Sequence, residues 1–162
     1  FKLFDMSNDP LEQRDIANAH PGLVERMRQG YERWFREVSR SRGFAPPRIH
    51  LGASEENPAV LTRQDWRGPR AGWAANSLGH WEVKVARPGT YEITLQFAPL
   101  PTNGAAQVGL RGVEREKELG AGATAAKFEP VRLTRGDGRF EASISFGSER
   151  VGVHYVEVKR VD

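Results

Sequence analysis

Apolar side chains recur at intervals of three and four between residues 21 and 39, and this spacing places them on one face of an α-helix. The opposite face carries glutamates and arginines. About five turns of helix cannot bury a wide apolar stripe by themselves. The pattern therefore predicts an amphipathic helix that lies against another apolar surface, with these residues on its apolar face: Leu23, Val24, Met27, Tyr31, Trp34, Phe35 and Val38.

Two further elements are expected before this helix. Apolar residues surround Lys2 in residues 1–4, which predicts a short strand. Asp9 and Pro10 follow, and they suit the cap and the first position of a helix respectively. We therefore expect a strand and a short helical turn ahead of the long helix.

Beyond residue 58 the apolar period changes from 3.6 to two, which is the signature of strands with one buried face. The segment HWEVKVARPGTYEITLQF, residues 80–97, alternates around Pro88 and Gly89. The segment FEPVRLTRGDGRFEASISF, residues 128–146, alternates around Gly136, Asp137 and Gly138. Each segment predicts a β-hairpin with the glycine-containing stretch as its turn.

Weaker strand signals lie at residues 49–51, 59–62 and 107–110, and the closing run 153–158 suggests a central strand or a bulge. Seven or eight short strands predict a mainly β fold, an antiparallel β-sandwich of jelly-roll or immunoglobulin-like type, preceded by a short strand and an amphipathic α-helix. Pro46 and Pro47 disfavour helix and indicate a linker. The predicted division is 1–40 for strand and helix, 41–58 for the linker and first weak strand, and 59–162 for the sandwich.

The composition of the chain argues against several classes of function. The 162 residues contain 24 lysines and arginines against 21 acidic residues, and the arginines are scattered, which argues against a nucleic-acid partner. No apolar run is long enough for a membrane span. There are no cysteines, which excludes disulfides and thiolate chemistry. The cellular compartment stays open.

The chain shows no catalytic, cofactor-binding or metal-binding motif. Four histidines are separated from one another, and neither a nucleophile elbow nor a phosphate-binding loop is present. The one candidate ligand platform lies in a predicted loop, where Trp66 and Trp73 could stack on sugar faces with Arg67 and Arg70 beside them. The alternative is that both indoles are buried anchors of the loop.

Two blocks of sequence resemble the C-terminal region of bacterial sulfatases of the arylsulfatase family. The first block, FKLFDMSNDPLEQRDIANAHPGLVERMRQGYERWF, is similar to the last strand and the following turn and helix of that family. The second block is a C-terminal extension that comprises RIHLGASEENPAVLTRQDW, then GHWEVKVARPGTYEITLQF, and finally VGVHYVEVKRV. The matching positions in the first block are Leu3, Phe4, Asp5, Asn8, Asp9, Pro10, Glu12, Asp15, Ile16 and Ala17.

The resemblance implies a parent enzyme that hydrolyses sulfate esters with a formylglycine and a divalent metal, calcium in most members. Neither the formylglycine motif nor metal ligands of the family occur in this chain, so no catalytic residue carries over. The chain would then be a non-catalytic fragment whose partner is an upstream sulfatase catalytic domain.

Three functions follow from these observations. The first is a non-catalytic C-terminal domain that packs on a sulfatase catalytic domain and shapes substrate access. The alternative is an autonomous carbohydrate-binding sandwich that recognises a sulfated glycan, and an independent enzyme ranks last. Exposure of Trp66 and Trp73 separates the first two, because exposed indoles favour binding and buried ones favour a scaffold.

Overall fold

The N-terminal segment differs from the expected strand and helical turn. In the computed structural model, which describes residues 1–40 and 43–162, residues 1–5 are not a strand and residues 9–16 are not helical. Asp9 instead accepts hydrogen bonds from the backbone N–H groups of Gln13 at 3.0 Å and Arg14 at 2.8 Å. The capping chemistry of Asp9 is real, but it closes a loop because no helix follows it directly.

The long helix forms as predicted. It is α1 (Pro21–Ser39), preceded by a 3-10 turn at Ala17–Ala19, and Pro21 occupies its first turn. On the polar face, Arg28 pairs with Glu25 at 2.7 Å and also with Glu32. No residue of α1 is buried, and α1 belongs to a compact unit that comprises residues 1–46. Ser41 and Arg42, at the start of the predicted linker, lie outside the described residues.

Residues 47–162 form the second compact unit, a sandwich of two β-sheets. Sheet 1 has the order β1-β3-β9-β5-β6 with β10 also paired to β9, and these strands are β1 (Ile49–Leu51), β3 (His80–Val85), β9 (Gly136–Phe146), β5 (Gly104–Leu110), β6 (Val113–Leu119) and β10 (Glu149–Gly152). Sheet 2 has the order β2-β11-β4-β7 with β8 also paired to β4, and these strands are β2 (Ala59–Thr62), β11 (Tyr155–Arg160), β4 (Gly89–Gln96), β7 (Ala125–Lys127) and β8 (Val131–Leu133). All pairings are antiparallel except β1 with β3. The mainly β sandwich is therefore confirmed.

Both predicted hairpins are wrong, although the strands in them exist. β3 belongs to sheet 1 and β4 to sheet 2, so the chain crosses the sandwich near Pro88. β8 and β9 are likewise in different sheets. Alternation identifies the buried face of each strand, and two buried faces can meet across a core as well as side by side in one sheet. The closing run does form a central strand, since β11 lies between β2 and β4.

Trp81 lies at the centre of the core and connects the two sheets. Its side chain is fully buried on β3, and its Nε1–H donates to the Thr62 carbonyl at the end of β2, at 2.6 Å. The ring centroids of Trp66 and Phe140 lie 5.6 and 6.1 Å from that of Trp81. The core therefore supports the end of β2, which leads into the loop of residues 66–79.

Replacing Trp81 should unfold much of the sandwich. We expect Trp81→Ala to lower the free energy of unfolding by about 3–5 kcal/mol, because a large buried aromatic leaves a cavity and an unpaired Thr62 carbonyl. Glu157→Ala, on the exposed face of β11, is the control and should change it by less than about 0.5 kcal/mol. Chemical denaturation followed by circular dichroism measures both, and equal losses would mean that the two side chains are not buried differently.

Candidate functional site

A long loop, residues 66–79, follows β2 and a short 3-10 turn, and backbone hydrogen bonds hold it at three places along its length. Arg67 and His80 exchange backbone hydrogen bonds of 2.8 and 3.1 Å, and the Leu78 N–H donates to the Arg70 carbonyl at 3.0 Å. The Gly152 N–H donates to the Ser77 carbonyl at 2.9 Å, which fixes the loop to β10. The tip of this loop, residues 71–76, is therefore short and held at its base.

The side chain of Arg63, which precedes this loop in the chain, also holds the loop in place. It lies in a 3-10 turn (Arg63–Asp65) with 9% of its surface exposed, and its Nε and Nη2 donate to the carbonyls of Val153 and Gly152, both at 3.0 Å. Its Nη1 donates to the Ala74 carbonyl at the loop tip, at 3.2 Å. The guanidinium therefore joins the loop tip to the segment between β10 and β11.

Among residues 1–40 and 43–162, the charge of Arg63 has no carboxylate partner. No acidic side chain in the described part of the chain lies within 4.0 Å of its guanidinium. The carbonyl dipoles and the face of Trp66, whose centroid is 4.8 Å away, stabilise the cation instead. Burial lowers the pKa of the guanidinium, but an arginine remains protonated at physiological pH.

Trp66 was predicted to belong to the ligand platform, and the structure places it in the core. Only 5% of its surface is exposed, so its faces are not available to a ligand. The backbones of Gly79 and Gly152 lie against the indole, since a Cβ atom at either position would come within 2.7 and 2.3 Å of a ring atom. These two glycines make the space for Trp66, and their distance along the chain hides that relation in the sequence.

Trp73, in contrast, stands at the loop tip with 74% of its surface exposed. It borders a cleft of about 380 Å³ near the start of β11. Tyr155, the first residue of that strand, lines the same cleft and is 49% exposed. The complete lining is Thr62, Arg63, Gln64, Trp73, His154 and Tyr155.

Tyr155 was not among the predicted site residues. The available signal was the closing run 153–158, whose apolar residues occupy both faces of the strand. On a sandwich strand, one of those faces points away from the core, and Tyr155 occupies that outward position. An aromatic on the outward face at the end of a strand is the kind of residue that sequence reasoning could have selected.

Arg67 and Arg70 lie in a different groove from Trp73. They line a groove of about 250 Å³ together with His80, Glu141 and Arg150. Arg70 Nη2 donates to the Asn76 carbonyl at 3.1 Å, so this side chain also supports the loop. The structure therefore divides the predicted platform into a buried Trp66, an exposed Trp73 and two arginines elsewhere.

The arginine groove continues onto the outer face of sheet 1. A neighbouring groove of about 520 Å³ shares Glu141, Ser143 and Arg150 with it and extends to Glu114 and Glu116 on β6. Arg150 Nε donates to Ser143 Oγ at 3.0 Å inside the shared part. This surface is polar and mixed in charge, unlike the aromatic cleft.

Within residues 1–40 and 43–162, no three histidine, cysteine or acidic side chains converge as a metal site would require. No helix in the described part of the chain combines the length and apolar character needed to cross a bilayer.

Comparisons with known proteins find similarity in structure only. No family model matches the sequence, and no curated protein matches it. A family 6 carbohydrate-binding module of Cellvibrio mixtus lichenase 5A, solved with cellotriose, is 13% identical, with 66% of this chain and 100% of that chain covered and a TM-score of 0.48. A family 35 carbohydrate-binding module from Clostridium thermocellum is 16% identical, with 65% of this chain and 100% of that chain covered and a TM-score of 0.45.

A ruminal GH26 endo-β-1,4-mannanase is 15% identical, with a TM-score of 0.47, and 65% of this chain is covered. The chain spans 26% of that enzyme and 28% of the Podospora anserina GH26-CBM35 mannanase.

The resemblance to sulfatases is wrong. The solved structures named above are carbohydrate-binding modules and mannanases and not sulfatases, and no family model matches the chain. The first matching block begins with a strand and a helix opening, and residues 1–16 form neither, so that only its later helix, α1, is present. The resemblance was the only support for an upstream catalytic domain, a formylglycine and a calcium ion, so none of these is inferred for the parent protein.

Proposed function

We propose that the sandwich is a non-catalytic module that binds carbohydrate in the cleft between Trp73 and Tyr155. The observation that carries the proposal is the exposure of Trp73 at 74% on a loop tip that is fixed at its base. An exposed indole on an ordered loop offers apolar area that a ligand can cover on binding.

The cleft supplies both kinds of contact that a sugar requires. A pyranose ring has an apolar face of C–H groups, and this face packs well on an aromatic ring such as that of Trp73 or Tyr155. The sugar hydroxyls need hydrogen-bond donors and acceptors, and Thr62, Gln64 and His154 provide them at the cleft wall. Stacking would supply affinity and the polar groups would orient the ring.

The geometry also lowers the cost of binding. Arg63 and the backbone bonds of the loop hold the Trp73 segment before any ligand arrives. A ligand that meets an ordered site does not lose affinity to the ordering of a loop. This supports a binding role that needs no conformational change in the protein.

Removing the Trp73 indole should abolish most of the affinity. The probes are dextran sulfate, polygalacturonate, a neutral β-glucan and a mannan, measured by affinity electrophoresis and calorimetry. We expect at least one of them to bind, and Trp73→Ala to weaken that binding by about tenfold or more because the central stacking surface is lost. Arg67→Ala, in the separate groove, is the control and should bind as the unmodified chain does.

Two outcomes would contradict the proposal. One is that none of the four polysaccharides binds. The other is that Trp73→Ala binds normally while Arg67→Ala does not, which would move the site to the outer face of sheet 1.

The preferred carbohydrate is an anionic one in this proposal. Arg63 lines the cleft as a cation without a carboxylate partner, and three of its five N–H groups are used by carbonyl oxygens. The cleft lining contains no acidic residue. A sulfate or a carboxylate on the sugar would compensate this charge in a partly desolvated place, where such a pair is strongest.

Matched polysaccharides test the charge preference. Dextran sulfate should bind more tightly than dextran if sulfate is recognised, and polygalacturonate more tightly than its carboxyl-reduced form if uronate is recognised. We expect about a tenfold preference in at least one pair, retained in the Arg67→Ala, Arg70→Ala double variant, and weakened by added salt. Equal binding within both pairs, or a preference lost in the double variant, would contradict the assignment to Arg63.

A further inference from the structure

Three arginines line the arginine groove, and none of them has a carboxylate partner. They are Arg67, Arg70 and Arg150. Within residues 1–40 and 43–162, no acidic side chain lies within 4.0 Å of any of these three guanidinium groups. Glu141 is the one acidic residue in the lining of the groove. While His80 is neutral, the lining therefore carries an excess of two positive charges.

Hydrogen bonds hold two of these arginines in place. The Nε of Arg150 donates to the Oγ of Ser143 at 3.0 Å, and Ser143 is itself buried on β9. The Nη2 of Arg70 donates to the Asn76 carbonyl at 3.1 Å. A guanidinium carries five N–H donors, and each of these bonds uses one of them. The donors that remain belong to side chains that are already ordered.

The third arginine lies on a fixed segment of backbone. Arg67 and His80 exchange backbone hydrogen bonds of 2.8 and 3.1 Å, which join the loop to β3. The next residue, Gly68, has a φ of +114°, a conformation that residues with a side chain rarely adopt. The loop therefore needs glycine at residue 68 to place Arg67 at the groove.

This set of donors and charges suits a phosphate group. The planar guanidinium of arginine forms paired hydrogen bonds with carboxylates and phosphates. A phosphate monoester offers three acceptor oxygens and a charge of about −1.5 to −2 at pH 7. A carboxylate or a sulfate ester carries a single negative charge. The excess of two positive charges in the arginine groove is therefore matched best by a phosphate monoester.

The size of the groove and the charges beside it favour a small ligand over a polyanion. Its volume of about 250 Å³ accommodates a phosphate group and the adjoining atoms of its carrier. Beyond Arg150, the neighbouring groove is lined by Glu114, Arg115 and Glu116. A charged polysaccharide that continued from the arginine groove along sheet 1 would bring its anionic groups beside the two glutamates, which repel them.

We propose that the arginine groove binds the dianionic phosphate group of a small phosphate monoester. Arg67 and Arg150 hydrogen-bond the phosphate oxygens, and Arg70 adds the third positive charge. This site is separate from the cleft of Trp73, because the two linings share no residue. The proposal therefore does not depend on carbohydrate binding in that cleft.

Calorimetry of the full chain at pH 8 and low ionic strength tests the proposal. The probes are glucose 6-phosphate, a dianion at this pH, and glucose 6-sulfate, a monoanion on the same sugar. We expect glucose 6-phosphate to bind about tenfold more tightly or better, and inorganic phosphate to displace it. Arg67→Gln and Arg150→Gln should each weaken its binding by about tenfold. Arg132→Gln, on the exposed side of β8 in sheet 2, is the matched control and should leave the affinity unchanged.

Circular dichroism checks that each variant stays folded, which we expect because Arg67 and Arg150 are both exposed. Absence of glucose 6-phosphate binding would overturn the proposal, as would equal affinities for the phosphate and the sulfate ester. Failure of inorganic phosphate to compete would also overturn it, since the sugar and not the phosphate would then be recognised. Binding that is lost in Trp73→Ala but retained in Arg67→Gln would overturn it in favour of the aromatic cleft.

Discussion

The hydrogen bonds of Arg63 to three backbone carbonyls are the interaction on which the candidate site depends. The acceptors come from the loop tip at Ala74 and from Gly152 and Val153, which connect β10 to β11. A buried cation without a carboxylate is costly unless several dipoles and a polarisable surface surround it, and here the carbonyls and the Trp66 ring do so. Breaking this arrangement would release the Trp73 loop and leave polar groups unpaired in the core.

The aromatic core and the binding surface are parts of one structure. Trp66 fills the space beside Gly79 and Gly152, and Trp81 packs on Trp66 and bonds the Thr62 carbonyl just before Arg63. The sandwich core thus positions Arg63, and Arg63 in turn holds the loop that carries Trp73. In many proteins the strands stabilise the fold, and a loop at the ends of the strands carries the ligand contacts.

The sequence predicts the strands and the helix better than it predicts which strands lie side by side in a sheet. Alternation identifies β3, β4 and β9 because each strand has one buried face, and the 3.6-residue period identifies α1. It does not say that β3 and β4 face each other across the core, since the same pattern suits a hairpin. Local capping signals at Asp9 also mislead, because Asp side chains bond nearby N–H groups in loops as readily as at helix ends.

The sequence predicts only part of the candidate site, because it does not show which residues meet across the fold. Trp66 and Trp73 are seven residues apart in one loop, and nothing local to either indole tells which is buried. The difference lies in Gly79 and Gly152, which leave space for the Trp66 ring, and in Arg63, two of whose three carbonyl partners are 90 and 89 residues away along the chain. Long-range fit of this kind is invisible to period and composition, and it also explains why Tyr155 joins Trp73 in the cleft.

Nuclear magnetic resonance of the ¹⁵N-labelled full chain tests the carbohydrate cleft most directly. The four indole N–H signals, from Trp34, Trp66, Trp73 and Trp81, report four different environments. On titration with oligosaccharides of dextran sulfate and polygalacturonate, we expect the Trp73 signal and the amide signals of Gln64, His154 and Tyr155 to shift, while the Trp66 and Trp81 signals stay in place. Shifts confined to Ser143, Arg150 and Glu116 on the outer face of sheet 1, or no shift at all, would contradict it.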